Sequence, residues 1–568
     1  EDHMGLNGAL AAVGRSLEIF STGIQVAGQN ISNSSTPGYI REKLNVSTGL
    51  PYPSGSLILG TGAKADGIKQ QIDLYLESRI HSANSEVSAS SSISSIYKQL
   101  EAELNALGDG SLSDLVGGFL ATIHDVVNQP ESTSFRQFAV QDGATLAGQF
   151  QSLRARIDDL RSAQTITVDA SVQEANRLID QIYKLNYDIQ RSELGGLIDS
   201  DAGALRSQRY EALTRLSEIM PIQFNERSDG TVDVRTPSDY IILAGSYQHL
   251  TTSTELDRGV NVTYVRLEHT GTDVSHLGGE LKGIIEGRDD VLGGFVDDLD
   301  EYVASFIQEF NKIHASGQGL KGFSNVTGTY TVSDAAAALN DAGLKFAPDH
   351  GSFEFTVTNQ QTGIAEAAII NIDLDGIGAD TSLEGLRDAL NAANPNITAS
   401  ITSDSRLKIT AGSGYEFSFG NDTSGVLASL GINTFFTGEN STDVAVNSVV
   451  ANDHRYFATA RGGGASDGGN AQLLAEFIDN PAAGLQNVSL SEYYNTLVST
   501  IAQSSATSTA LTKGLESYQD SLNSQREQFS GVSLDEEALM MMQFQRSYQA
   551  SARLISVIDE LFDTLLNI

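Results

Sequence analysis

Apolar residues recur at alternating spacings of four and three at both ends of the chain. Leu6, Leu10, Val13, Leu17, Phe20, Ile24, Ala27 and Ile31 form the first set, and Met541, Phe544, Tyr548, Ser551, Ile555, Ile558, Phe562 and Leu565 form the second. A mean spacing of 3.5 keeps one stripe turned toward a partner helix along its whole length. A single helix cannot bury such a stripe, so the two ends are expected to pair with each other or with the ends of neighbouring copies. Asn33-Ser34-Ser35-Thr36-Pro37-Gly38 breaks the first helix, because Pro37 drives Thr36 out of the helical region and Gly38 permits an unusual turn. Gly531 separates the second stripe from the helix before it.

Between the ends, the period changes several times. Residues 39–47 alternate as an extended segment, and residues 49–62 read as a Gly/Pro/Ser-rich loop or hairpin. Helical stripes follow at Ile93, Ile96, Leu100, Leu104 and Leu107, at Leu146, Phe150, Leu153, Ile157 and Leu160, and at Val172, Ala175, Ile179, Ile182 and Ile189. These predict an elongated helical-bundle body. Short β-type runs interrupt it at Val232–Val234, Tyr240–Leu243 and Val262–Val265, a β-rich portion near residues 218–270. Leu292, Phe295, Leu299, Tyr302, Phe306, Phe310 and Ile313 restore a helix that Gly317 and Gly319 end. Residues 323–438 then read as an α+β module, with strands near 353–357, 369–372, 397–401 and 407–409 and a helix over 382–393. Helical patterns resume over 473–477, 490–522 and from 534 onward. The expected fold is mainly α with α+β parts. Residues 5–45 with 528–568 would form a terminal coiled-coil domain, 46–322 with 439–527 the bundle body, and 323–438 an inserted outer module.

Charge narrows the functional classes. Seventy-two acidic residues against 35 basic ones give a formal net charge of -37, which disfavours nucleic acid and anionic membrane surfaces. No apolar run approaches the ~20 residues needed to span a bilayer. The absence of cysteine excludes disulfides, thiolate metal sites and cysteine catalysis.

Short signatures beside the two stripes carry a resemblance. Asn30-Ile31-Ser32-Asn33-Ser34-Ser35-Thr36-Pro37-Gly38-Tyr39 resembles the N-terminal signature of the bacterial flagellar rod, hook and hook-associated axial proteins. Ser530-Gly531-Val532-Ser533-Leu534-Asp535-Glu536-Glu537-Ala538, followed by residues 544–553, is similar to the C-terminus of the hook-associated, junction-forming members of that family. Residues 205–213 and 277–284 fit the same family, and residues 381–391, 397–401 and 406–410 resemble the short repeat in the outer domains of flagellins and filament caps. The resemblance implies a structural subunit, without cofactor or enzymatic activity, that forms the junction layer between hook and filament. It implies type III export to an extracellular flagellum, and terminal helices that build an inner coiled-coil tube on assembly. The implied partners are further copies, the hook protein, a second hook-associated junction protein, and an export chaperone on the C-terminal helix.

Other chemistry is thin. Asp373-Leu374-Asp375-Gly376-Ile377-Gly378 with Glu384 is a near miss to a calcium loop, since Ile377 occupies a ligand position and a strand precedes Asp373. Thr381 and Glu384 read instead as a capping box for the next helix. The glycine pattern Gly317–Gly322 follows a helix rather than a strand, the wrong order for a phosphate cradle. No His-Glu-x-x-His occurs. The alternative function is a cell-surface adhesin or binding protein using the outer module, and the discriminating feature is the matched pair of ends, which an adhesin does not need.

Overall fold

The computed structural model describes the chain except residues 1, 37, 55–56, 106–111, 194–199 and 567–568. Pro37 and Leu107 therefore lie outside the described residues, as does the side chain of Leu565. The fold is mainly α, with several small antiparallel sheets. It divides into two compact units, one of residues 1–96, 162–288 and 506–568, the other of residues 97–161 and 289–505.

In the first unit, an N-terminal helix Asp2–Asn33 and a C-terminal helix Leu534–Leu566 pack together. The strands Glu42–Thr48 and Ala63–Gln70 pair antiparallel, and the short strands Tyr52–Ser54 and Leu57–Leu59 pair beyond them. The β-type runs read from the sequence are strands. Gln223–Glu226, Val232–Arg235, Tyr240–Leu243 and Ser246–Tyr247 make one sheet, and Leu250–Asp257 pairs with Val260–Leu267. Their inward residues Val232, Val234, Ile242, Val265 and Leu267 share a core with Val172, Ala175, Ile179 and Ile182 of the helix Thr133–Glu193.

The helix expected to begin at Leu292 instead continues from Gly279 through a π-helical turn, Gly287–Leu292, to Ala315. Two residues account for the irregularity. A Cβ at Gly287 would stand 2.2 Å from Ile96 Cδ1. The buried Arg288 donates to the Thr263 carbonyl at 2.9 Å and lies over the Tyr264 ring. Widening the turn accommodates both.

In the second unit, Phe306 and Phe310 of the helix Gly293–Ala315 sit in an aromatic cluster with Phe119, Phe435, Phe436 and Phe477. His314, on the same helix, is fully buried. Its Nδ1–H donates to the Asn433 carbonyl at 2.7 Å, and its Nε2 accepts from the Ala458 N–H at 3.0 Å. Burial chiefly, with the Arg136 charge nearby, pushes its pKa down to about 4. The unfolded imidazole takes a proton near its ordinary value of 6.5, so stability is lost as pH falls from 6.5 toward 4. The loss is about 3 kcal/mol at the lower end. His314→Gln should flatten this acid limb in pH-dependent denaturant melts, and an equally steep limb in the variant would contradict the assignment.

Residues 325–420 of this unit form two three-stranded sheets. One orders Ala365–Ile372, Gly351–Asn359 and Tyr415–Gly420, the other Asn325–Thr327, Leu407–Ala411 and Ile397–Ile401. The helix Leu383–Ala393 packs Leu383, Leu386 and Leu390 into a core with Phe353, Phe355, Phe417 and Phe419. Its cap differs from the expected one. Ser382 Oγ accepts from the Gly385 N–H at 3.1 Å, while Thr381 Oγ1 turns back to accept from Asp373 N–H at 2.9 Å. The chain pairing Thr381 with Asp373 through both backbone and side chain leaves the next residue to cap.

The last residues of the interval 323–438 belong with the helix Gly293–Ala315. Asn433 Nδ2 donates to the carbonyls of Ala315 and Gly317, and Asn311 bonds Phe435 and Phe436 through their backbones. A deletion of residues 324–431 spares these contacts. Replacing those residues with a short Gly/Ser linker should leave the remainder folded. Cutting to residue 438 should also remove Phe435 and Phe436, a loss of about 3–5 kcal/mol for each buried aromatic. Thermal melts of the two deletions compare these directly, and equal melts would contradict the boundary.

Candidate assembly site at the paired termini

The terminal helices run antiparallel. Gly23 faces Phe544, and Asn30, seven residues later, reaches Glu537, seven residues earlier on its helix. Val13, Ala27 and Ile558 are buried in this pairing and its surroundings, and Leu6, Leu10, Leu17, Phe20, Ile24, Ile31, Met541, Phe544, Ile555 and Phe562 are half-buried. Tyr548 stands 41% exposed. The closest approach is at Gly23, where a Cβ would lie 2.8 Å from the Phe544 ring. Phe20 packs beside it, its ring centroid 6.4 Å from that of Phe544. A glycine within a helical pattern lowers helix propensity by about 1 kcal/mol relative to alanine, and that cost is the sequence signal that could have found this contact.

A second flank of the N-terminal helix escaped the heptad reading. Ile19 and Val26 are buried although neither belongs to the 3.5-residue stripe. This helix also packs against the strands Glu42–Thr48 and Ala63–Gln70. A Cβ at Gly62 would touch Ala12, and Arg15 donates to the Thr61 carbonyl.

The two short signatures meet in a buried polar clasp. The Asn30 amide is fully buried, and all four of its hydrogen-bonding positions are used. Nδ2 donates to the Glu42 carbonyl at 2.9 Å and to Glu537 Oε2 at 3.1 Å. Oδ1 accepts from the Tyr39 hydroxyl at 2.8 Å and from Glu42 N–H at 3.0 Å. Arg41 closes the clasp from outside. Its Nε donates to Glu537 Oε1 at 2.7 Å, a guanidinium nitrogen reaches Glu536 at 2.9 Å, and its backbone N–H donates to the Ser530 carbonyl at 3.1 Å. Glu537 is fully buried, and a buried carboxylate requires such partners.

The electrostatics follow from this burial. The Tyr39 hydroxyl is raised above its ordinary range, first by burial and then by the charges of Glu42 and Glu537. Glu42 is raised by burial and then by Asp201. Gly203 makes room for the Glu42 carboxylate, since a Cβ there would collide with Oε1.

Among the signature residues, the structure brings together Asn30, Tyr39, Ser530, Glu536 and Glu537. Ser32 and Asn33 bond back to carbonyls of their own helix, and Thr36 donates to Asn33. Gly38 has φ of 74°, the left-handed turn that lets the chain double back toward Asn30. Ser533 starts the C-terminal helix by accepting from the Glu536 and Glu537 N–H groups, while Leu534 and Asp535 are exposed and Gly531 and Val532 are half-buried. Arg41 and Glu42 were not singled out from the sequence. They follow the signature directly, and an Arg beside Glu536-Glu537 in the opposite signature was the available clue.

The near-calcium loop is different in kind. Asp375 and Asp380 accept from the N–H groups of Ile377 and Gly376 within the loop itself, and Asp373 lies 3.3 Å from His350. Gly317 and Gly319 close against Asn470 and the Arg455 backbone, so close packing explains that glycine pattern.

Similarity to known proteins agrees with this layout. Residues 97–329 match the model of the flagellar hook-associated protein FlgK helical domain. Residues 524–568 match the flagellar basal body rod FlgEFG protein C-terminal model, and residues 352–413 the flagellin hook IN motif. The matches thus pair a rod-type terminal segment with a hook-associated helical domain, both known from flagellar proteins. The flagellar hook-associated protein 1 of Escherichia coli (strain K12) is 25% identical over 99% of this chain and 98% of its own length. That of Bacillus subtilis (strain 168) is 21% identical over 97% and 96%. The flagellar hook junction protein FlgK from Burkholderia pseudomallei aligns with a TM-score of 0.49 and 14% identity, covering 80% of this chain and 100% of that one. Over nearly its whole length the chain is similar to flagellar hook-associated protein 1.

Proposed function

We propose that this protein is a structural subunit of the bacterial flagellum, forming the junction layer between hook and filament, and that it works outside the cell after type III export. The observation that carries the reading is the clasp between the two ends. It joins two family signatures more than 500 residues apart through a fully buried Asn–Glu contact. Further copies and the hook protein would meet the terminal pair, with a second hook-associated junction protein on the filament side. A cytoplasmic chaperone would cover the apolar face of the C-terminal helix before export. The Asn30 amide and the Glu537 carboxylate are held by fixed hydrogen bonds between the two ends, which suits a scaffold. Nothing in the relatives or the outer module supports the adhesin alternative.

The test is a strain lacking this protein. It should build hooks, shed filament subunits into the medium and lose motility, and the full chain should restore attached filaments. Attached filaments in the deletion strain would overturn the reading. Ile555→Asp with Phe562→Asp should fail to restore them, since each places a charge against the apolar N-terminal helix.

A further inference from the structure

Among the described residues of the first unit, two of the exposed apolar surfaces lie beside the paired terminal helices. One is the short hairpin beyond the strands Glu42–Thr48 and Ala63–Gln70, where Leu50, Leu57 and Ile58 are 88%, 65% and 78% exposed. The other lies beside the helix seam, where Leu554, Val557 and Leu561 share a face and are each 49% exposed. The antiparallel register relates them. Gly23 faces Phe544, so Ala12, eleven residues earlier, is level with Ile555, eleven residues later. Ala12 and Arg15 are where the hairpin arm crosses the N-terminal helix, at Gly62 and Thr61. The two surfaces thus sit at one height on different flanks of the unit.

Their charges are opposite. Residues 41–70 carry four basic side chains against two acidic ones, in a chain whose net charge is -37. Arg41 and Lys69 are engaged with Glu536, Glu537 and Asp201, while Lys43 and Lys64 are exposed on the strands, Lys64 lying 3.6 Å from Asp66. Residues 554–563 carry Asp559, Glu560 and Asp563 and no basic residue.

We propose that the hairpin of one copy docks on the Leu554–Val557–Leu561 face of the next, rim lysines against rim carboxylates. This rests on the junction-subunit reading and specifies its lateral contact. The contact is head-to-tail, using a different patch on each copy, and repetition of such a contact closes a ring or extends a helix. Apolar patches at its centre provide the burial, and opposite charges at its rim set the register and suppress wrong pairings.

The cysteine-free chain allows a direct test. Full-length chains carrying Ile58→Cys, Val557→Cys or both are expressed in the deletion strain, and isolated flagella are treated with a short bis-maleimide. The double variant should give a ladder of dimers, trimers and higher species. Co-expressed single variants should stop at dimers, and each single variant alone should give none. Leu561→Cys replaces Val557→Cys if the latter is not exported. Lys43→Glu with Lys64→Glu should reduce the ladder at least severalfold, and adding Asp559→Lys with Glu560→Lys should restore it. Attached filaments without a ladder would overturn this contact while leaving the junction reading standing. Dimers from Ile58→Cys alone would overturn the head-to-tail geometry. Attached filaments without the protein would overturn both.

Discussion

Asn30→Asp should unlock the paired termini although it changes the shape of the side chain by almost nothing. The native amide donates twice and accepts twice, and each partner is fixed by the fold. The carboxylate keeps the acceptors for Tyr39 and the Glu42 N–H but loses both donors. Its charge then faces the Glu42 carbonyl and the buried Glu537 carboxylate, leaving one buried charge without relief. Disruptions of this kind cost about 3–5 kcal/mol. The loss should be local. Hydrogen exchange should quicken across residues 10–31 and 544–562, while the core around Ile179, Leu213 and Val265 keeps its protection. Lowering the pH should restore part of the pairing, because the introduced carboxyl regains one donor once it is protonated. Unchanged exchange in Asn30→Asp would show that the clasp is dispensable.

Gly23→Leu should separate the helices at their closest point. Even the first added carbon would stand 2.8 Å from Cδ2 and Cε2 of Phe544, with the ring's own attachment carbon 2.9 Å away. The ring cannot swing clear without losing Phe20, and overpacking of this kind costs about 1–3 kcal/mol or more for a branched side chain. Helix propensity pulls the other way, favouring leucine over glycine by somewhat under 1 kcal/mol, so a destabilised variant isolates the packing effect. Phe544→Ala alone should also destabilise, by leaving a cavity. Together, the two substitutions should be less harmful than their sum, because the leucine fills the space the ring vacates. Strictly additive losses would mean that the two positions are not in contact.

What could be read in advance depended on whether the physics was local or periodic. The terminal stripes, the β-type runs at Val232–Val234 and Tyr240–Leu243, and the strands of residues 353–409 announced themselves through period alone. The π-helical turn at Gly287 did not, because it arises from Arg288 reaching Thr263 and from Ile96 crowding the backbone, and neither contact has a local trace. The cap at Ser382 was misjudged by one residue because Thr381 had a second partner, Asp373, across the loop. At the clasp, Asn30, Tyr39 and Glu537 stood out as signature residues. Their convergence was invisible, since nothing in a sequence reports that residues 30 and 537 share a hydrogen bond. Burial of Ile19 and Val26 was missed for a related reason: a helix packed on two flanks has two stripes, and the search for one period finds only the stronger.

The placement of this protein in the flagellum is the central claim, and its position along the appendage tests it most directly. Antibody raised against residues 324–431 and carried on gold should label isolated flagella at a single narrow zone, the boundary between the curved hook and the filament. Label spread along the filament, or over the cell surface with the boundary bare, would contradict the account.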